Sequence, residues 1–322
     1  MLEDFTIRNF RGIKELTLPS LKRVNLFVGK NGVGKTSVLE AVWLAGRDFD
    51  PAAIAWLLHE RNEVQASGSI HKAIESLFLD PVRDKALISS PTGRRRRGLY
   101  LTAWSQDLKF VGGSLGIFDG NGVIDNIPPD SLSQRPVETF GLDSKVVFLP
   151  ATGFREKQLL ELWQEIGPDG QVAIVEQVRP LAAEVDRIFV RSVEGQHLPM
   201  AEVGGKIIPL RRFGDGAVRR FMLAVGLWRS RGGLLLIDEI ENGFHYSVQR
   251  EVWDFLIEAA TKLKVQVFAT THSRDTVYAL AEASKKDDHI VYRIQRRRGD
   301  LHAVSFDSSE LDFATTEELE VR

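Results

Sequence analysis

The octet G-K-N-G-V-G-K-T, Gly29 to Thr36, constrains this chain more than any other stretch. Its spacing is G-x-x-x-x-G-K-[ST], the P-loop pattern that cradles phosphate. The flanks supply the context such a loop needs. Arg23 to Val28, R-V-N-L-F-V, reads as a buried strand, and Ser37 to Ala45 carries apolar residues at helical spacing. Glycines at 29, 32 and 34 let the backbone wrap closely and turn its N–H groups toward phosphate oxygens. The start of the following helix adds partial positive charge. Asn31, Gly32, Val33, Gly34, Lys35, Thr36 and Ser37 are therefore the expected nucleotide cradle. Lys35 is expected to reach the β- and γ-phosphates, and the Thr36 hydroxyl to ligate Mg²⁺.

Two later strands complete a pattern. Gly233 to Asp238, G-L-L-L-I-D, is an apolar strand ending in a carboxylate, the Walker B arrangement in which Asp238 holds Mg²⁺. Glu239 follows at once. A carboxylate there can orient or deprotonate the water that attacks the γ-phosphorus, where a plain turn carboxylate would only be solvated. Val265 to Thr270 is a second apolar strand, and it delivers T-H-S, Thr271 to Ser273. From its end His272 is a candidate hydrogen-bond partner for the γ-phosphate or the attacking water. Strands in this order predict a parallel sheet, with ligands beyond the carboxyl ends of the strands. Arg11 and Gly12 of N-F-R-G-I sit in the turn between two N-terminal strands. Approach to the nucleotide and an ordinary surface turn are the two readings of that pair.

The expected fold class is α/β, a P-loop NTPase with an antiparallel β lobe and a helical lobe, folded as one head over residues 1–322. Residues 1–50 and 211–306 form the expected nucleotide-binding core. Residues 51–145 read as an inserted lobe, helical from Pro51 to Leu79 and then β-rich, with short glycine-broken segments. Residues 146–210 read as a strand, two amphipathic helices (Phe154 to Ile166 and Gln171 to Val185) and a small meander. The tail from Thr315 is polar and reads as frayed.

Composition narrows the class. Hydrophobic residues make up 43% and charged residues 27%, as in ordinary globular chains. No apolar run approaches the ~18 residues needed to span a bilayer. The opening M-L-E-D-F-T lacks the basic and then apolar segments of a signal peptide. Cysteine is absent, which excludes disulfides and thiolate zinc sites. A cytoplasmic protein with no membrane partner is the expectation. The net charge of −2 argues against a protein that coats nucleic acid, yet leaves room for local basic patches. Two runs qualify: Arg94, Arg95, Arg96 and Arg97 on an expected loop tip, and Arg296 to Arg298 between two C-terminal strands. Each is either a DNA phosphate contact or a solvated tip.

The N-F-R-G-I start, the P-loop, L-L-L-I-D-E-I-E-N-G-F-H and T-T-H-S together resemble the ABC-type ATPases of the RecF, SMC and overcoming-lysogenisation-defect (OLD) group. The likeness is greatest to the compact bacterial AAA-family ATPases of OLD-like and phage-defence systems. It covers residues 1–50 and Arg211 to Ala283. The resemblance implies an ABC-ATPase head that hydrolyses ATP with Mg²⁺ and closes into a homodimer around two ATP molecules. Each site would join one protomer's P-loop to the other's signature helix. Here the signature is F-G-D-G-A, Phe213 to Ala217, so Gly214, Asp215 and Gly216 become candidate trans ligands. The family usually has Ser where this chain has Gly214, so one trans hydrogen bond is missing. Asn242 to His245 match the loop that crosses the family's dimer interface. The family's metal-contacting glutamine has no clear counterpart. OLD enzymes carry a C-terminal TOPRIM nuclease domain, and the stretch after Thr271 is too short for one. A separate effector polypeptide is therefore implied, with a role of DNA-repair or phage-defence type. Two alternatives differ in class. A transporter ATPase subunit is opposed by the absent L-S-G-G-Q, and a non-catalytic nucleotide-gated module is opposed by Glu239 and His272.

Overall fold

A computed structural model of the chain describes residues 1–79, 85–89, 97–106, 109–119, 122–127, 132, 144–193, 195–283 and 288–316. The chain divides into two compact units, the first of Met1–Lys22, Gly29–Phe140 and Tyr292–Ser305, the second of Arg23–Val28, Gly141–Val291 and Phe306–Arg322.

The first unit opens with a hairpin, β1 (Phe5–Phe10) and β2 (Ile13–Leu18), whose alternating burial follows from F-T-I and I-K-E-L-T-L. After the P-loop comes α1 (Lys35–Gly46), then three shorter helices, α2 (Pro51–Glu60), α3 (Glu63–Ser67) and α4 (Ile70–Glu75). The start of α2 is written in the sequence. Asp50 caps it by accepting from Ala52 N at 2.9 Å, and Pro51 occupies the first turn. Trp43 of α1 and Trp56 of α2 pack at 5.3 Å between ring centroids. Four strands follow: β4 (Lys85–Ser89), β5 (Arg97–Gln106), β6 (Lys109–Asp119) and β7 (Gly122–Ile127). They form the antiparallel lobe expected from the sequence, but they do not stand alone. β4 pairs with β1, Ile7 opposite Ile88, and the sheet runs β2-β1-β4-β5-β6-β7. Nothing local marks that pairing, because the partners lie far apart in the chain. Arg94, Arg95 and Arg96 fall outside the described residues, and Arg97 opens β5.

In the second unit, β3 (Val24–Val28), β8 (Val146–Leu149), β12 (Leu234–Ile237) and β13 (Gln266–Thr271) are parallel and fully buried. β13 lies between β3 and β12, with Thr271 opposite Val28 and Ile237 opposite Ala269, and β8 flanks β12. These apolar runs are what strands covered on both faces require. Phe27 and Phe268 stack on one another at 6.3 Å. Against the sheet pack α7 (Asp215–Arg229), α8 (Gln249–Lys262) and α9 (Arg274–Ala283). Ahead of α7 come α5 (Glu156–Gln164), α6 (Pro168–Val178) and the meander β9 (Arg187–Val193), β10 (Gln196–Val203) and β11 (Lys206–Pro209).

Two boundaries differ from the sequence reading. Pro168 begins α6 instead of belonging to a turn, since proline suits the first helical turn. Pro180 then stops it, and Arg179–Leu181 is a 3₁₀ turn. A final helix, α10 (Ser308–Thr316), was not expected. Asp307 Oδ1 caps it, accepting from Ser309 N and Glu310 N at 2.9 Å each, and Leu311 is fully buried. Residues 317–322 of the tail lie outside the described residues. Among the described residues no helix is long and apolar enough to cross a membrane.

Candidate functional site

The phosphate-side residues belong to the first unit. Gly29, Gly32 and Gly34 have φ of 153°, 73° and 119°. Gly29 is required for space as well, because a Cβ there would lie 2.4 Å from Ile294 O. The turn delivers Lys35 as the first residue of α1. That helix start has no side-chain cap and no acidic residue in its first turn. Its N–H groups and the positive end of its dipole are thus not neutralised by the protein's own carboxylates, as an anion site needs. Lys35 is buried, and its Nζ donates to Gly29 O at 2.8 Å and Lys30 O at 3.1 Å. Asn31 and Gly32 are exposed, while Val33, Gly34, Thr36 and Ser37 are half-buried.

Arg11 enters a charge network that the sequence did not reveal. It stands in the left-handed region at φ 53° and is 9% exposed. Its Nε donates to Glu40 Oε2 at 3.0 Å and its Nη1 pairs with Glu63. Glu40, one turn into α1, also accepts from Arg61. Burial pushes the Glu40 carboxyl above the usual range, against the pull of the Arg11 and Arg61 guanidiniums. Arg11 Nη2 is buried with no hydrogen-bond partner among the described residues.

The carboxylate side belongs to the second unit. Asp238 follows β12, and its Oδ1 accepts from Thr270 Oγ1 at 2.6 Å. The main chain then turns sharply. Glu239 has φ 49°, a conformation that costs a bulky residue of order 1–3 kcal/mol. Several bonds hold it there. Glu239 N donates to Thr270 Oγ1 at 2.8 Å, and Asn242 Nδ2 donates to Glu239 Oε2 at 3.0 Å. His272, just past β13, has Nδ1 at 3.6 Å from Glu239 Oε1 and at 3.0 Å from Glu241 Oε1. Glu241 Oε1 also accepts from His272 N at 3.0 Å, so Glu241 fixes both the backbone and the ring of His272. The structure therefore brings Asp238, Glu239 and His272 together at the carboxyl ends of adjacent strands.

Arg219 follows the signature residues in the sequence. It is 5% exposed, on the second turn of α7. Its Nη1 donates to Pro150 O at 2.8 Å and Ala151 O at 3.5 Å, and its Nη2 to Asp238 O at 3.0 Å and Glu239 O at 3.2 Å. One guanidinium thus fastens the turns after β8 and β12. Burial lowers its pKa to about 10, and the charges of Asp238, Glu241 and Glu239 oppose that fall. No sequence motif announces this role, since the bonded carbonyls carry no residue signature.

The signature residues lie at the start of α7. Gly214 is exposed at φ 94°, and a Cβ there would meet nothing within 4 Å. A serine would have room but would be strained in this backbone, so the departure from the family pattern is matched by the local conformation. Asp215 is exposed and pairs with Arg211 at 3.0 Å. Gly216 is tightly placed, with its would-be Cβ 3.1 Å from Gly243 O. The signature turn therefore packs on the loop that follows Glu239. In that loop the His245 and Tyr246 rings meet at a tilt, 4.2 Å between centroids, and Tyr246 is 66% exposed.

Comparisons with known proteins agree with this layout. A family model described as "AAA ATPase domain" matches residues 1–64, which hold Arg11 and the P-loop. A second, described as "AAA domain, putative AbiEii toxin, Type IV TA system", matches residues 197–277, which hold the signature, Asp238, Glu239 and His272. An "ATP/GTP phosphatase" of Helicobacter pylori is 20% identical over 332 residues, covering 89% of this chain and 90% of that protein. The "DNA replication and repair protein RecF" of Idiomarina loihiensis is 38% identical over 63 residues, only 19% of this chain and 18% of RecF. Among solved structures, an SMC head bound to the C-winged helix domain of ScpA matches with a TM-score of 0.54 at 14% identity, covering 98% of this chain and 99% of that one. The SMC head domain from Thermotoga maritima matches at 0.52 and 13% identity, covering 95% and 98%. At these identities the likeness is one of fold.

Proposed function

We propose that this chain, an ABC-type ATPase of the RecF and SMC kind, uses ATP and Mg²⁺ to drive closure of a homodimer that signals to DNA or to a separate effector protein. The observation that carries the catalytic part is Glu239. A carboxylate is held in a costly left-handed conformation by Thr270, with its side chain steered by Asn242. Strain maintained by several neighbours at the end of a parallel strand is typical of residues that act on a ligand.

The roles follow from the chemistry of each group. Lys35 takes the terminal phosphates, and the N–H groups from Asn31 to Ser37 take phosphate oxygens. The Thr36 hydroxyl and the Asp238 carboxylate supply hard oxygen donors that suit Mg²⁺. Among the described residues no group of three or more His, Asp or Glu could hold a metal alone. That fits an ion shared with substrate phosphates, which is how Mg²⁺ is usually bound. When bound, the ion neutralises charge on the β- and γ-oxygens. Glu239 orients and deprotonates the attacking water, and His272, fixed by Glu241, hydrogen-bonds the water or the γ-phosphate. Dimer closure is supported by three exposed features, the Gly214 turn, Asp215 and the His245–Tyr246 pair. The wider role, in repair or phage defence, rests on the motif resemblance.

Glu239→Gln tests both halves of the proposal. The amide is nearly isosteric but accepts no proton at neutral pH, so phosphate release should fall roughly 10²–10⁴-fold. ATP affinity should persist, because Lys35, Thr36 and Asp238 are untouched. Light scattering should then show an ATP-dependent dimer accumulating. Hydrolysis at the wild-type rate would remove Glu239 from the base role and move it to Glu241 or His272. Lost hydrolysis without an ATP-dependent dimer would sink the closure mechanism alone.

A further inference from the structure

The second unit has a feature that nucleotide chemistry does not use. An open cleft of about 860 Å³ lies at the amino ends of β8, β12 and β13, the opposite edge of the sheet from Asp238 and His272. Five basic residues line it, Lys145, Arg229, Arg231, Lys262 and Lys264, against two acidic ones, Glu165 and Asp169. Arg229 is paired with Glu165. The other four cations have no carboxylate partner among the described residues. In a chain whose net charge is −2, this is a strong local excess.

The cations stand on fixed backbone. Gly232 N donates to Leu263 O at 3.0 Å, which ties the Arg231 turn to the segment between Lys262 and Lys264. Leu234 N donates to Lys145 O at 2.9 Å, which ties the same turn to the start of β8. Gly233 permits that approach, since a Cβ there would lie 2.0 Å from Lys145 O. Lys264 is held at φ 56° by the end of α8, where Val265 N donates to Ala260 O at 2.8 Å. Like charges anchored together repel, so the cluster does not exist to stabilise the fold. One wall is aromatic. The Arg231 guanidinium lies 4.9 Å over the Trp228 ring, and Gly170 packs against that ring, where a Cβ would come within 2.5 Å of Cε2 and Nε1.

We propose that this cleft binds single-stranded nucleic acid, with Lys145, Lys262 and Lys264 on the phosphates and the Arg231–Trp228 stack against a base. Its volume suits a few nucleotides, and the stack needs an unpaired base face, which a duplex keeps within its own stack. Lysines are adaptable phosphate partners, and a guanidinium plane backed by an aromatic ring stacks on any base. An acidic peptide would use the charge but not the stack. The site is sequence-tolerant, since lysine contacts to phosphate and stacking on a planar group are open to any base. It is independent of the ATPase reading, because binding here needs no ATP.

The test uses the full chain without nucleotide and a fluorescent oligothymidylate of about 15 residues, read by anisotropy as salt is varied. Three phosphate contacts predict a slope of log K against log[salt] of about −2, so affinity falls roughly twentyfold between about 50 and 200 mM salt. In the triple variant Arg231→Ala, Lys262→Ala, Lys264→Ala the slope should shrink to about −1, and the fall to about threefold. Retained ATP hydrolysis in that variant reports an intact fold. An unchanged slope in the triple variant, or no binding by the wild type at low salt, overturns the proposal. So does poly-glutamate displacing the oligonucleotide at equal charge concentration, or a matching duplex binding as tightly.

Discussion

Around Lys35 the groups that hold the functional side chain are main-chain carbonyls five and six residues away, Lys30 O and Gly29 O. Around Glu239 they are the side chains of Thr270 and Asn242, with Arg219 on the carbonyls of Asp238 and Glu239. The first arrangement is a local conformation, made possible by glycines at positive φ. The second is assembled from three elements brought together by folding. A local conformation leaves a dense sequence motif, whereas an assembled one leaves scattered residues whose importance appears only in space. The first should also fail abruptly at its single charged group, and the second by degrees as its supports are removed.

The largest effect is expected from Lys35→Ala. Its ammonium is the cation at the head of α1, and charge-assisted bonds to phosphate are among the strongest available. ATP affinity measured by calorimetry should fall by at least about a hundredfold, roughly 2.7 kcal/mol. Thermal stability should fall by about 1–3 kcal/mol as well, because the Gly29 carbonyl is buried and loses its donor. Unchanged ATP affinity would end the P-loop assignment.

Arg219→Met comes next and should strike the other region through stability. It leaves the carbonyls of Pro150, Asp238 and Glu239 without their donor, at a cost of about 3 kcal/mol. Phosphate release should drop more than ATP affinity, since the turn carrying Glu239 loosens while Lys35 is untouched. The loss in stability should not vary with pH near neutrality. Burial lowers the Arg219 pKa to about 10, so both folded and unfolded chains keep the proton below about pH 9. Only above about pH 10, where the folded chain releases the proton first, does the unfolded chain hold more protons, and there the wild type gains stability as pH rises. A strong pH dependence of the difference between about pH 6 and pH 8 would contradict the assignment.

Thr270→Val is the mildest and the most discriminating. It keeps shape but removes the hydroxyl that donates to Asp238 and accepts from Glu239 N. A cost of about 1–3 kcal/mol is expected from denaturant unfolding, with slower hydrolysis and near-normal ATP affinity. If ATP affinity falls while stability holds, Thr270 touches the nucleotide and is not a support for Glu239.

The parts of the molecule that were legible share one property. The P-loop, the apolar strand ending at Asp238 and the strand ending at His272 are each contiguous, and each encodes its own shape by glycine placement or by unbroken apolarity. That β3, β13 and β12 run parallel followed from where their polar ends had to meet a ligand, whereas their order in the sheet came from the structure. Glu241 was visible as a carboxylate near the site, but its hold on His272 was not. Arg11 could be read as a turn residue, and its buried partners Glu40 and Glu63 lie on helices that no motif connects to it.

The sequence by itself determined which residues carry phosphate and carboxylate chemistry, because short motifs fix local backbone and local charge. Only the tertiary structure decided that β4 extends the N-terminal hairpin through β1, that Arg219 staples the turns after β8 and β12, and that Lys145, Arg231, Lys262 and Lys264 share one cleft. Each of these depends on which distant segments pair, and pairing is settled by the burial of whole faces, which no short stretch of sequence records.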